Sequence, residues 1–202
     1  MKIIFIFILC LQIGACAVYP QSNNLLGYLR LTDYHFLDRQ RNFTIPPISR
    51  IYIPAAWPGI NDNEASKQQY HELLDQTAAS FRAGFQWVKV GARQENIKQS
   101  LKTARRLSAD YLLLITPSDW HEGRDLPLFD EEKGQMGIDR VRLAVQLVEV
   151  SSGGLIDQIE IQGRSGYLSF IGDAPSHLAK VPLNKLARNL RAGQRPIRDG
   201  SY

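Results

Sequence analysis

Six consecutive residues set the tightest constraint on this chain. Asp110-Tyr111-Leu112-Leu113-Leu114-Ile115 is apolar at every position after the first. A strand of that composition belongs in a sheet covered on both faces. Upstream, Ile97, Leu101, Ala104 and Leu107 repeat at helical spacing. Before them Phe85 to Val90 is rich in aromatic and β-branched residues, and earlier still Tyr70, Leu73, Leu74, Thr77, Ala78 and Phe81 form a second helical stripe that stops at Gly84. Ile51-Tyr52-Ile53, ended by Pro54, opens the series, and a loop with Pro58, Gly59, Asn61 and Asp62 follows it. Two strand-helix-strand units in succession predict parallel, right-handed crossovers with 110–115 near the centre of the sheet.

Beyond this strand the rhythm changes. Val141 to Val150 and Leu155 to Ile161 flank Ser151-Ser152-Gly153-Gly154 and predict an antiparallel hairpin. Val141, Leu143, Val145 and Leu147 share one face, while Arg142, Ala144 and Gln146 on the other are less apolar, so helices should cover this hairpin on one side only. Pro182 is expected as a first helical residue, with Leu183, Leu186, Ala187 and Leu190 as the stripe of a last helix. The order is β-α-β-α-β-β-β-α, a single compact α/β domain with a mixed sheet over 50–190. Residues 16–49 read as tether and extended lead-in, with Gly27 to Thr32 a weak early strand and Pro46-Pro47 holding the approach extended. Residues 191–202 form a basic tail in which Arg191, Arg195 and Arg198 face a single acid, Asp199; it is expected to be solvated or to touch lipid phosphates weakly.

The N-terminus specifies an address. Lys2 precedes nine unbroken apolar residues, Ile3 to Leu11, and Gln12-Ile13-Gly14-Ala15-Cys16 follows. The run is far short of the roughly 20 residues that span a bilayer, so residues 1–15 are expected to be a cleaved export signal. Ile13-Gly14-Ala15-Cys16 resembles the lipobox of bacterial lipoproteins, which makes Cys16 the lipidated first residue of the mature chain. Ala17 rather than Asp follows it, which by analogy with lipoprotein sorting points to the periplasmic face of the outer membrane. Acyl chains at Cys16 would hold the protein to the membrane firmly. Cys10 leaves with the signal, so no disulfide supports the fold, and a core of this size must suffice.

Chemistry is sparse. The net charge of +4 is small and scattered, which excludes a nucleic-acid groove. His35, His71, His121 and His177 stand at no metal-ligand spacing, and there is no phosphate loop, dinucleotide fingerprint or serine elbow. No cofactor is expected. The one polar cluster is Asp119-Trp120-His121-Glu122, where the central strand leaves the sheet. Adjacent residues on an extended segment point to opposite faces, so Glu122 is poorly placed to orient His121 as a base. A structural or partner-binding edge fits Trp120, His121 and Glu122 better than catalysis. Asp125 to Asp139 is long for a hairpin loop and carries both charge signs, which suits a docking element or a plain loop. Tyr167 and Phe170 are expected either to pack the last helix or to anchor another subunit.

Ala104-Arg105, Ala109-Asp110-Tyr111-Leu112-Leu113, Trp120, Val148-Glu149-Val150-Ser151-Ser152-Gly153, Gly163-Arg164-Ser165, Phe170 and Gly172-Asp173 occur in this order. In that order they resemble a family of small Gram-negative lipoproteins known only as a domain of unknown function. The likeness spans roughly Arg50 to Leu190, with two departures: Ser108 stands where a Gly is usual, and Trp57-Pro58-Gly59-Ile60 replaces a Gly-rich segment. More distantly the layout is similar to the periplasmic modules of the curli secretion lipoprotein, the Pel polysaccharide lipoprotein, the activators of peptidoglycan synthases and the first domain of TolB. That resemblance implies a non-enzymatic binding or assembly module of an envelope machine, with an envelope protein partner and self-association. The reading from another class is an envelope-glycan hydrolase or transferase using Asp119, His121 and Glu122.

Overall fold

The computed structural model describes residues 33–41, 43–56, 64–121, 139–166 and 175–192. In chain order these form β1 (Tyr34–Arg39), β2 (Arg50–Ala55), α1 (Glu64–Arg82), β3 (Trp87–Gln94), α2 (Ile97–Arg106), β4 (Tyr111–His121), β5 (Arg140–Glu149), β6 (Leu155–Arg164) and α3 (Pro175–Leu190). The six strands make one sheet in the order β1-β6-β5-β4-β2-β3. Strand β2 pairs in parallel with β3 and with β4, and every other pairing is antiparallel. The mixed α/β sheet expected from the sequence is present, with 110–115 inside it.

The connection from β2 to β3 steps toward the edge of the sheet, and the one from β3 to β4 steps back past β2. Right-handed crossovers in opposite directions put their helices on opposite faces. Accordingly Tyr70, Leu73, Leu74, Ala78 and Phe81 of α1 share a core with Ile51, Ile53, Leu113, Ile115, Val141, Leu143, Val145, Leu147, Ile159 and Ile161, and α3 adds Leu178, Leu183, Leu186 and Leu190 to it. Ala104 of α2, on the other face, packs with Tyr52, Leu112, Leu114 and Val148. Leu112 to Ile115 thus bury side chains on both faces, while β5 alternates in and out because α2 does not reach it fully.

Helix α2 shows how local signals fix its limits. Asn96 Oδ1 accepts from the Gln99 amide at 2.9 Å and Gln99 Oε1 accepts from the Asn96 amide at 3.0 Å, a reciprocal cap. At the other end the Ala109 amide donates to Ala104 O and the Ser108 amide to Arg105 O, which closes the helix on a residue with φ +52°. That residue is Ser108, and the left-handed turn accounts for Gly being usual there.

The early strand expected at 27–32 lies outside the described residues, and the structure adds an edge strand, Tyr34–Arg39, that the sequence reading did not name. Two sequence expectations are corrected. Phe85 is not in a strand but in the core, stacked on Phe81 at 5.9 Å, and β3 starts at Trp87. Pro182 lies inside α3, which begins at Pro175. A proline there removes the N–H that would reach the Leu178 carbonyl. The His35 imidazole, on β1, hydrogen-bonds that carbonyl instead. Gly163 lets α3 come this close: a Cβ there would sit 2.8 Å from Leu178 O and 3.0 Å from Val141 Cγ1.

Candidate functional site

The topology sorts the molecule into two ends. At the carboxyl end of β2 and β4 lie Asp33, Asp119, His121, Arg140 and Arg164; we call this the upper end. Register partners there are Asp119 with Arg142, Trp120 with Val141, and His121 with Arg140, while Arg140 also faces Arg164 across β6. The chain is closed at this end by a small polar knot. Asp139 donates its amide to Ser165 Oγ at 3.0 Å, Ser165 donates its amide to Asp139 O at 3.0 Å, and the Gly166 amide donates to Asp33 Oδ1 at 3.0 Å. These bonds give Gly163-Arg164-Ser165 a structural role: close approach of α3, a guanidinium 5.6 Å from the Tyr34 ring centroid, and a buried hydroxyl satisfying a buried amide.

Of the residues singled out in the sequence, Asp119, Trp120 and His121 were expected beyond a strand ending at Ile115; the strand instead runs on to His121, and all three are paired with β5. Asp119 lines a shallow depression of about 190 Å³ with Tyr34, Arg140, Arg142, Gln162 and Arg164. Cys16, Glu122, Tyr167 and Phe170 lie outside the described residues. His71 is exposed beside Tyr70, and His177 is exposed on α3. Among the described residues no three His, Cys, Asp or Glu side chains are grouped so as to hold a metal. Burial lowers the pKa of His35, opposed by Asp33 and the Leu178 carbonyl. Its Nδ1 is buried without a partner, so the ring belongs to the β1–α3 contact.

At the lower end, sequence reasoning missed a surface. Two depressions, of about 560 and 570 Å³, adjoin at Glu149. Arg41, Phe43, Leu155 and Ile156 line the first; Ile48, Arg50, Arg105 and Tyr111 line the second. The Phe43 ring meets Tyr111 edge-on at 6.5 Å and joins the two. Phe43 is 38% exposed, Ile48 69% and Leu155 47%, so half of the large exposed hydrophobics recorded among the described residues gather here. Three arginines and two acids, Glu149 at the junction and Asp110 beside Tyr111, stand among them. Arg41 donates to Ile156 O, Arg50 to Leu107 O and Arg105 to Val150 O, and Arg50 also lies 4.4 Å over the Trp87 ring. None of the three guanidinium groups forms an ion pair among the described residues.

This groove is held in shape from below. Arg39 donates from Nε and Nη2 to Asp157 Oδ2 at 2.9 and 2.7 Å, and Nη2 also reaches Phe43 O at 2.6 Å. Ile45 exchanges backbone bonds with Leu190 and Ala192. Asp110 accepts from the Arg50 amide at 2.8 Å through Oδ2 and donates its own amide to Arg50 O. Exposed apolar side chains among charges of both signs, on a fixed scaffold, mark this surface as one suited to contact with another molecule. The signal in the sequence was faint: Phe43, Ile48 and Leu155 follow no period, and only the fold unites them.

No helix among the described residues is long and apolar enough to cross a membrane. No curated protein matches the sequence. Among solved structures, the PelC dodecamer from Paraburkholderia phytofirmans is similar at 18% identity, with 80% of this chain and 100% of that one covered and a TM-score of 0.59. A lipoprotein from Neisseria meningitidis, GNA1162, is similar at 17% identity over 69% of this chain and 98% of that one, with a TM-score of 0.45. The first likeness establishes a shared fold. A family model described as a domain of unknown function, DUF4823, matches residues 44–190, from the lead-in beside the groove to the end of α3, and the chain belongs to that family.

Proposed function

We propose that this protein is a non-enzymatic assembly module, tethered to the periplasmic face of the outer membrane by lipid on Cys16, which binds envelope partners and further copies of itself. The observation that carries the reading is the separation of tether and groove. The chain enters the sheet at Asp33, at the upper end, and the groove of exposed apolar residues and mixed charge lies at the lower end. Seventeen residue steps lead from Cys16 to Asp33. Fully stretched they reach at most about 60 Å, enough to present the groove away from a leaflet. A fold in common with a dodecamer supports assembly.

Two experiments test it. Cys16→Ser should abolish acylation and move the protein from the membrane to the soluble periplasmic fraction; unchanged membrane association contradicts the anchor. Replacing Asp119, His121 and Glu122 together by Ala should leave the cellular phenotype of the parent gene intact. Loss of function in a folded, membrane-bound triple variant would instead favour an enzyme acting on envelope glycans.

A further inference from the structure

The sheet ends in two open edges that fit one another. In the order β1-β6-β5-β4-β2-β3 the outermost strands are β1 and β3, and among the described residues neither pairs on its outer side. Such an edge offers a row of unpaired N–H and C=O groups to any strand that can lie against it. Of the pairings that lead from β1 to β3, three are antiparallel and two parallel, so the two edges run in opposite directions. A β1 laid beside the β3 of a second copy in the same orientation therefore pairs with it antiparallel.

We infer that copies of this chain join edge to edge, β1 of one against β3 of the next, with Asp38 opposite Lys89. The inference rests on the assembly reading above and names its surface. The pleat limits the register, because a slip of one residue would turn every side chain to the wrong face. Leu37, Val88 and Val90 all pack on the core beneath α1 and α3. Lys89, beside Tyr52, and Asp38, beside Glu160, lie on the other face. The register that sets Leu37 against Val90 keeps both faces continuous, brings Asp38 to Lys89, and puts Phe36, 37% exposed, beside Gly91, which has no side chain to obstruct it. The regular run is short. Trp87 to Val90 match Arg50 to Ile53 residue for residue, and beyond them the register with β2 slips, which confines the contact to the pairs from Arg39–Val88 to Phe36–Gly91.

Charge decides which edges meet. The charged side chains of β1 are Asp38 and Arg39, and Arg39 is held by Asp157; those of β3 are Lys89 and Arg93. Asp38, Lys89 and Arg93 are exposed, and their side chains form no hydrogen bond or ion pair among the described residues. Asp38 stands directly across from Glu160 on β6, a position in which like charges repel. Arg142 lies 3.6 Å from Glu160, which leaves Asp38 the uncompensated member. Lys89 of a neighbour supplies the missing cation. Pairing β3 with β3 would set cations against cations, and pairing β1 with β1 would bring Asp38 no free cation. The contact is therefore head-to-tail, and it closes into a ring or continues as a filament.

Within one chain the two edges lie five strand spacings apart, roughly 24 Å at about 4.8 Å each. A disulfide between positions 38 and 89 can thus form only between copies. The test uses the full mature chain in mild detergent. Asp38→Cys and Lys89→Cys combined in one chain should, on mild oxidation, give a ladder of covalent multimers that reductant collapses, while each alone should give at most dimers. In sedimentation velocity Asp38→Lys and Lys89→Glu should each weaken association about tenfold or more, and the two reversals in one chain should restore it. Both positions are exposed, and unchanged thermal unfolding will show that each variant is folded. If the reversed variants assemble as the parent does, if the double reversal does no better than the single ones, or if the double-cysteine chain gives no ladder, this inference fails while the assembly reading stands. If the parent chain is a monomer at every concentration, the assembly reading fails and takes this one with it.

Discussion

Asp157→Ala removes the acid of the buried Arg39–Asp157 ion pair. The side chains of Arg39 and Asp157 are 9% and 0% exposed, and two guanidinium nitrogens share Oδ2 at 2.9 and 2.7 Å. Oδ1 accepts the Arg41 amide at 3.0 Å. With the carboxylate gone, the Arg39 charge stays buried against two carbonyls, Phe43 O at 2.6 Å and Asn189 O at 3.3 Å, which solvate it without neutralising it. Breaking a buried pair from one side costs about 3–5 kcal/mol. The two remaining carbonyls place this site near the lower figure, about 3 kcal/mol. For a domain of this size each kcal/mol moves the melting temperature by about 2–4 °C, so the midpoint should fall by about 6–12 °C. Urea titration checks it, with a lower midpoint and an unchanged slope. Arg39→Met combined with Asp157→Leu removes both charges and should recover at least half of the loss. A loss below about 1 kcal/mol, or a double variant no better than Asp157→Ala, would refute the reasoning.

Three further outcomes follow from single positions. Ser108→Gly relieves the φ of +52° at the end of α2 and should stabilise by about 0.5–1 kcal/mol in urea titration, against the greater freedom glycine gives the unfolded chain. Gly163→Ala drives a Cβ to within 2.8 Å of Leu178 O, which belongs to helix backbone that cannot step aside, and should cost about 1–3 kcal/mol by the same assay. His35 has a folded pKa below its ordinary value of 6.5, chiefly through burial. Below pH 6.5 the unfolded chain binds a proton that the native protein refuses, so stability should fall as pH drops from 6.5, and His35→Gln should flatten that slope.

Much of the sheet was legible because burial writes itself into period. Leu112 to Ile115 bury side chains on both faces and read as an uninterrupted apolar run, and β5 alternates because helices cover one face of it. Strand β1 was obscure since it is an edge strand with Phe36 and Asp38 facing solvent and a single fully apolar inward residue, Leu37. Pro182 misled for a physical reason. A proline inside a helix normally strands a carbonyl, and the group that satisfies this one, His35, sits at the far end of the sequence on β1. Asp119, Trp120 and His121 belong to the end of β4, which the pattern stopped at Ile115 because Thr116 to Asp119 break the apolar run. The groove was hidden because Phe43, Ile48 and Leu155 come from a proline-rich lead-in and a hairpin turn, segments with no periodicity to reveal a shared face.

The central claim is that this domain works by joining other proteins while lipid holds it to a membrane. Native mass spectrometry of the chain extracted in mild detergent from its own membranes tests both halves at once. The account predicts a complex of several protomers, each carrying the mass of a diacylglyceryl group on a mature chain that starts at Cys16. A single unacylated protomer, or one that keeps residues 1–15, would contradict it.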